Sequence, residues 1–263
     1  MTSSLLRPRG RIRTAPAATG TPVPVKGGTE PTRILDWREP RVTALARTLE
    51  LRADADAGPA ATLRRAHRWI ATSIRPVYSV QDERPVSQVL RLGRGSCSQR
   101  LAVLEAVARA AGTATRVRGL VVDGAFWYPR FPRLRHLVPD QVLLAWPEFR
   151  LPEPAAEPGA SRWLTVSELF GALDERGAAP GGGFTNAGPE TLFEAIARTA
   201  VDWDGAATLC PTGAAPCDLS AYVLTDLGHF DSRDALFSRH GQTLCPLART
   251  VAEPILGRHA AGS

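Results

Sequence analysis

The sequence predicts an α+β fold built around one helix that opens with a cysteine. Three observations carry this. Residues 40–53 and 60–74 repeat apolar side chains every three and four positions, the spacing of amphipathic helices. The run from Gly93 to Gly124 reads as turn, helix, turn, strand. Two further β-type runs follow, QVLLAWPEFRL at 141–151 and RWLTVSEL at 162–169. Hydrophobic residues make up 44% of the 263, enough for a packed core.

Residues 1–30 hold five basic side chains (Arg7, Arg9, Arg11, Arg13, Lys26) against Glu30 alone, with much Thr, Pro, Gly and Ala. Without apolar periodicity they predict a disordered basic tail, running to residue 33. No apolar run of the ~7–15 residues of a secretory signal follows the charges. Nor does any stretch approach the ~18–20 apolar residues of a membrane span. The expected location is cytoplasmic, with no membrane partner. The formal charge of +6 shrinks to near neutrality over 31–263, which hold 27 basic and 25 acidic residues. Only Lys26 is a lysine among 32 basic residues, as coding bias in a GC-rich genome produces. No nucleic-acid partner is expected.

From Ile34 the chain becomes structured. His67 lies on the 60–74 helix and reads as a surface or packing histidine. The polar stretch YSVQDERPVS is extended. Gly93 and Gly95 break the chain before Cys97, and Ala102, Leu104, Ala106, Val107 and Ala110 then mark a helix. It ends at Ala111-Gly112, where glycine suits the position after a helix. Residues 115–122 are a strand, and Asp123-Gly124 a turn. After strand 141–151, a Pro/Glu/Ala-rich loop leads to strand 162–169. Beyond a Gly-rich stretch, 189–201 forms a helix with Pro189 in its first turn. The predicted units are the tail (1–33), a core (34–172) and a helical C-terminal extension packing on it (173–263). There is no internal repeat.

Cys97 is the residue with chemistry in reach. A helix N-terminus offers unpaired N–H groups and partial positive charge, which favour the thiolate and could hold an oxyanion. The competing reading is an inert buried cysteine, a common fate for free thiols.

The segment GRGSCSQRLAVLEAVARAAGTATRVRGLVV resembles the transglutaminase-like superfamily, through Gly95, Cys97, Ala102, Ala110, Gly112, Arg116, Val117 and Gly119. LLAWPEFRL resembles the family's strand carrying the catalytic histidine, through Ala145, Trp146, Glu148 and Phe149. RWLTVSEL resembles its aspartate strand, through Trp163. The resemblance spans roughly 60–170. It implies a papain-like α+β core with the cysteine helix packed on an antiparallel sheet, and Cys97 as nucleophile. Two positions depart from the family pattern. Leu144 stands where the histidine belongs, and Ser167 where the aspartate belongs. Without a base, a cysteine lacks its activator and the acid that protonates a leaving amine.

Three resolutions are open. His136, oriented by Asp140, could supply the base from a loop. His229 or His240, oriented by Asp231 or Asp234, could supply it from the extension. Or the protein binds without reacting. Arg133 and Arg135 flank His136 in YPRFPRLRH and suit an anionic substrate group; Trp146 completes the expected substrate site. The leading expectation is cysteine-dependent acyl transfer on a peptide, amide or thioester through an acyl-Cys97 intermediate. The alternative is an inactive module that binds a peptide or partner protein. No cofactor is expected. Cys210, Cys217 and Cys245, with His229 and His240, lack the tight C-x2–4-C pairs of structural zinc, so no metal is expected.

Overall fold

A computed structural model describes residues 25–51, 58–153, 160–174, 184, 186–188, 190–196 and 219–258. Helices α1 (Pro40–Leu51) and α2 (Pro59–Ser73) come first, where the apolar spacing places them. On α2 the buried stripe is Thr62, Leu63, Ala66 and Ile70, the i, i+4, i+8 pattern of one helix face. Burial of a leucine side chain such as that of Leu63 contributes about 1.5–3 kcal/mol. Strand β1 (Arg75–Pro76) follows, then α3 (Val86–Leu92), an element the sequence reading passed over. Gly93 ends α3 in the left-handed region at φ 59°, a turn that costs glycine nothing. Strand β2 (Arg94–Gly95) then pairs in parallel with β1, which fixes the chain immediately ahead of Cys97.

Helix α4 (Cys97–Ala110) is the centre of the molecule: every residue from Gln99 to Arg109 is buried, and α1, α2 and α3 pack on it. Strands β3 (Thr115–Asp123), β4 (Gln141–Pro152) and β5 (Ser161–Thr165) form an antiparallel meander. The predicted third strand is shorter than 162–169. It stops at Thr165, and α5 (Val166–Asp174) takes over because VSELFGAL repeats apolar residues with helical spacing.

The extension does more than cover the core. Its strand β6 (Val223–Phe230) pairs antiparallel with β3, so the sheet order is β5-β4-β3-β6. Helices α6 (Arg233–His240) and α7 (Pro246–Leu256) follow. A Cβ on Gly119 would stand 2.7 Å from Leu236 of α6, so that glycine lets α6 lie close on β3. Leu192–Ala195 form turns where a helix over 189–201 was expected; 197–201 lie outside the described residues, as do the tail up to residue 24, Cys210 and Cys217. Gly28 bridges to Thr115, and Arg109 donates to the Glu30 carbonyl at 2.8 Å, so the chain is anchored to the core before residue 34.

Candidate functional site around Cys97

Ser96 caps α4 reciprocally with Gln99. Its hydroxyl accepts from the Gln99 N–H at 3.3 Å, and the Gln99 side chain accepts from the Ser96 N–H at 3.1 Å. This sets Cys97 as the first helical residue. The Gln99 amide also donates to Ser79 Oγ at 2.8 Å and to the Gln81 carbonyl at 2.7 Å, holding the YSVQDER loop against the helix start. Glu253 of α7 grips the same loop from outside, accepting from the Val80 N–H at 2.9 Å and pairing with Arg84 at 2.5 Å.

Two buried arginines flank the cysteine. Arg100, one turn along α4, bonds the Ala71 carbonyl and Thr191 Oγ1, each at 3.3 Å, and pairs with Glu194 at 2.5 Å. Arg233, at the start of α6, pairs with Glu105 at 2.5 Å and donates to Ser98 Oγ at 3.0 Å. Burial is the largest influence on the Cys97 thiol and pushes it up to about 12; Arg100 and Arg233 pull it down and Glu194 pushes it further up. The direction is opposite to that expected for a helix-start cysteine. Desolvation of a thiolate outweighs the helix end and both guanidiniums.

The structure places each candidate base. His67 packs between Phe193 and Phe170, with ring centroids 4.5 and 4.6 Å away, and donates to the Phe193 carbonyl at 2.8 Å. His136 is exposed on a single 3₁₀ turn (Arg135–Leu137). Asp140, Arg133 and Arg135 are exposed on the same loop, with the Arg135 guanidinium 5.8 Å from the Tyr128 ring centroid. His229 donates to Glu148 at 3.0 Å; the structure gives it this partner in place of Asp231 or Asp234. Asp231 instead accepts from the Gly27 N–H at 2.9 Å, and Asp234 from the Ile34 N–H at 3.2 Å. Burial alone would raise Glu148, but its bonds from His229 and Arg116 hold it below the usual carboxylate range. His240 is buried, edge-on to Phe230. Among the described residues, no histidine hydrogen-bonds Cys97.

Leu144 pairs with Leu120 in mid-sheet, and both are buried. Ser167 lies in the first turn of α5 and bonds Thr165 Oγ1 at 3.2 Å. Trp146 is fully buried. Cys245 is exposed at the cap of α7, and the described residues hold no cluster of three or more groups suited to a metal.

Three of the charged residues around Cys97 were missed in the sequence. Arg100 could have been found, because position i+3 on a helix is a neighbour. Glu194 and Arg233 come from distant segments, and nothing local announces them. Asp82 was missed too. Burial pushes its carboxyl up to about 7, against Arg233 and Arg249, which pull it down, while Glu83 and Glu253 push it up.

Residues 43–167 match the model of the transglutaminase-like superfamily. No curated protein matches the chain significantly. Among solved structures, the crystal structure of a presumed protease from Parabacteroides distasonis is similar at 14% identity and a TM-score of 0.34, over 52% of this chain and 25% of that one. The match thus spans about a quarter of that protein's length. Residues 43–167, with Cys97 heading the central helix over an antiparallel sheet, are thus similar to the transglutaminase-like superfamily and share its α+β arrangement.

Proposed function

We propose that this protein is a non-catalytic transglutaminase-like module that binds an acidic peptide segment of a partner. The observation that carries the reading is the state of Cys97: its thiol is held neutral by burial, while His67 and His229 are bonded elsewhere and His136 stands on an exposed loop. Leu144 and Ser167, at the positions where the family pattern carries its base and orienting acid, agree with it. The binding element is the loop after β3. Leu134, between Arg133 and Arg135, and Leu137, at the end of the 3₁₀ turn, are exposed (47% and 48%), and neither arginine has an acidic partner among the described residues. Guanidiniums beside apolar side chains suit a carboxylate-bearing peptide.

Mass spectrometry of the protein after incubation with peptide amides and thioesters tests the first half. The expected mass is unmodified. An acyl adduct on Cys97, lost in Cys97→Ala, would overturn the proposal. For the second half, a Glu-rich peptide is titrated by fluorescence anisotropy. Binding is expected to weaken at least tenfold in the Arg133→Glu/Arg135→Glu variant and to fall with salt.

A second reading has one observation in its favour: the capping box delivers Cys97 to the first position of a helix in the segment that matches the family. On this reading Cys97 performs acyl transfer on an amide or thioester, releasing the acyl group to water or an amine, and His136 with Asp140 approaches by loop movement.

A further inference from the structure

Besides Arg233 of α6, the described part of the extension comes near Cys97 in one short segment, Glu190–Ile196. Leu192, Phe193, Ala195 and Ile196 are buried. Phe193 lies between two side chains of the core. The Arg100 guanidinium is 4.3 Å from its ring centroid, and the His67 ring stacks on it at 4.5 Å with 17° between the planes. Its carbonyl accepts from His67, and the next residue, Glu194, pairs with Arg100. Glu194 also accepts from the Thr191 N–H at 3.0 Å, which folds the segment into a compact turn. Upstream, Arg130 donates to Asn186 Oδ1 at 2.8 Å and to the carbonyls of Gly188 and Glu190. Asn186 in turn donates to the Phe126 carbonyl at 2.6 Å. The segment is therefore fixed at two points, one beside the β3–β4 loop and one a helical turn from the thiol.

Arg100 follows Cys97 by three residues, so both lie on one flank of α4. The Glu194 carboxylate paired with Arg100 is close enough to Cys97 for its charge to act on the thiol. We infer that Glu190–Ile196 is a built-in strap that occupies the cleft beside Cys97, with the Phe193 ring in the slot between Arg100 and His67 and the Glu194 carboxylate on Arg100. A segment of this chain thus fills the place in which an external peptide could present an aromatic side chain followed by a carboxylate. The inference goes beyond the proposed function and does not depend on it, since it concerns what fills the cleft rather than whether Cys97 reacts with substrate.

The test is the rate of Cys97 alkylation by iodoacetamide at pH 8.5, with the exposed Cys245 as internal reference. Phe193→Ala empties the slot, and Glu194→Gln removes the carboxylate while keeping the side-chain shape. Each is expected to speed Cys97 alkylation at least fivefold with Cys245 unchanged. Leu49→Ala, a core cavity in α1, is the control for general loosening and is expected to change the rate less than twofold. If Phe193→Ala fails to fold, Glu194→Gln decides. A gain below fivefold in a folded Glu194→Gln protein would overturn the inference. So would an equal gain in Leu49→Ala, because the segment would then be ordinary core. Neither result bears on acyl-adduct formation by the wild-type protein, so failure here is separable from failure of the proposed function.

Discussion

Cys97 illustrates how burial can reverse what a helix terminus offers. The helix start and two guanidiniums favour the thiolate, yet removal from water costs more, and the thiol stays protonated. Cys97, at the head of its helix, was legible in the sequence. The environment was not, because Glu194 and Arg233 reach the site from positions about a hundred or more residues away. Asp82 gives the residue-scale prediction. Its carboxyl stands near 7 in the fold, above the ordinary value of 3.8, so the folded state holds a proton that the unfolded chain releases. Stability from this group is therefore fully present below about pH 4 and is lost as pH rises through 7. Asp82→Asn should raise the melting temperature at pH 8, by an amount corresponding to at most about 4 kcal/mol, and the gain should vanish near pH 4. A gain independent of pH would show that the Asp82 carboxyl is not buried as described.

At the level of elements, long periodic segments were readable and short or irregular ones were not. Helices α1, α2 and α4 and strands β3 and β4 fall where apolar spacing puts them. Strand β5 ends before the predicted residue 169 because VSEL is compatible with either period over four residues. Strand β6 was missed: Asp226 and Gly228 interrupt it, its register against β3 shifts twice, and Gly228 sits at φ 78°. Both α6 and β6 crowd Gly119 of β3, where a Cβ would stand 2.7 Å from Leu236 and 3.1 Å from Phe230. Gly119→Ala should therefore destabilise the protein by about 1–3 kcal/mol, the usual cost of overpacking, measured by urea denaturation. Leu236→Ala in the same background should recover part of that loss by vacating the space the new methyl needs. Non-recovery would mean that the contact with α6 is not what requires glycine.

At the scale of the whole molecule, residues 43–167 are the part similar to the transglutaminase-like superfamily, and the structure adds that the extension is woven into it. β6 completes the sheet, Arg233 ties α6 to α4, Glu253 holds the loop at the start of α4, and Glu194 sits on Arg100 beside the cysteine. Strand pairing joins these segments regardless of chain distance. A molecule organised in this way keeps a transglutaminase-like architecture, with Cys97 half-buried at the head of its central helix. The most direct test is the pH dependence of Cys97 alkylation in the wild-type protein, with Cys97→Ala identifying the signal. The account predicts a midpoint above that of an ordinary free thiol, ~8.5, and a rate at pH 7 slower than that of Cys245. A midpoint below about 7, with Cys97 the faster of the two, would contradict it and establish a poised thiolate.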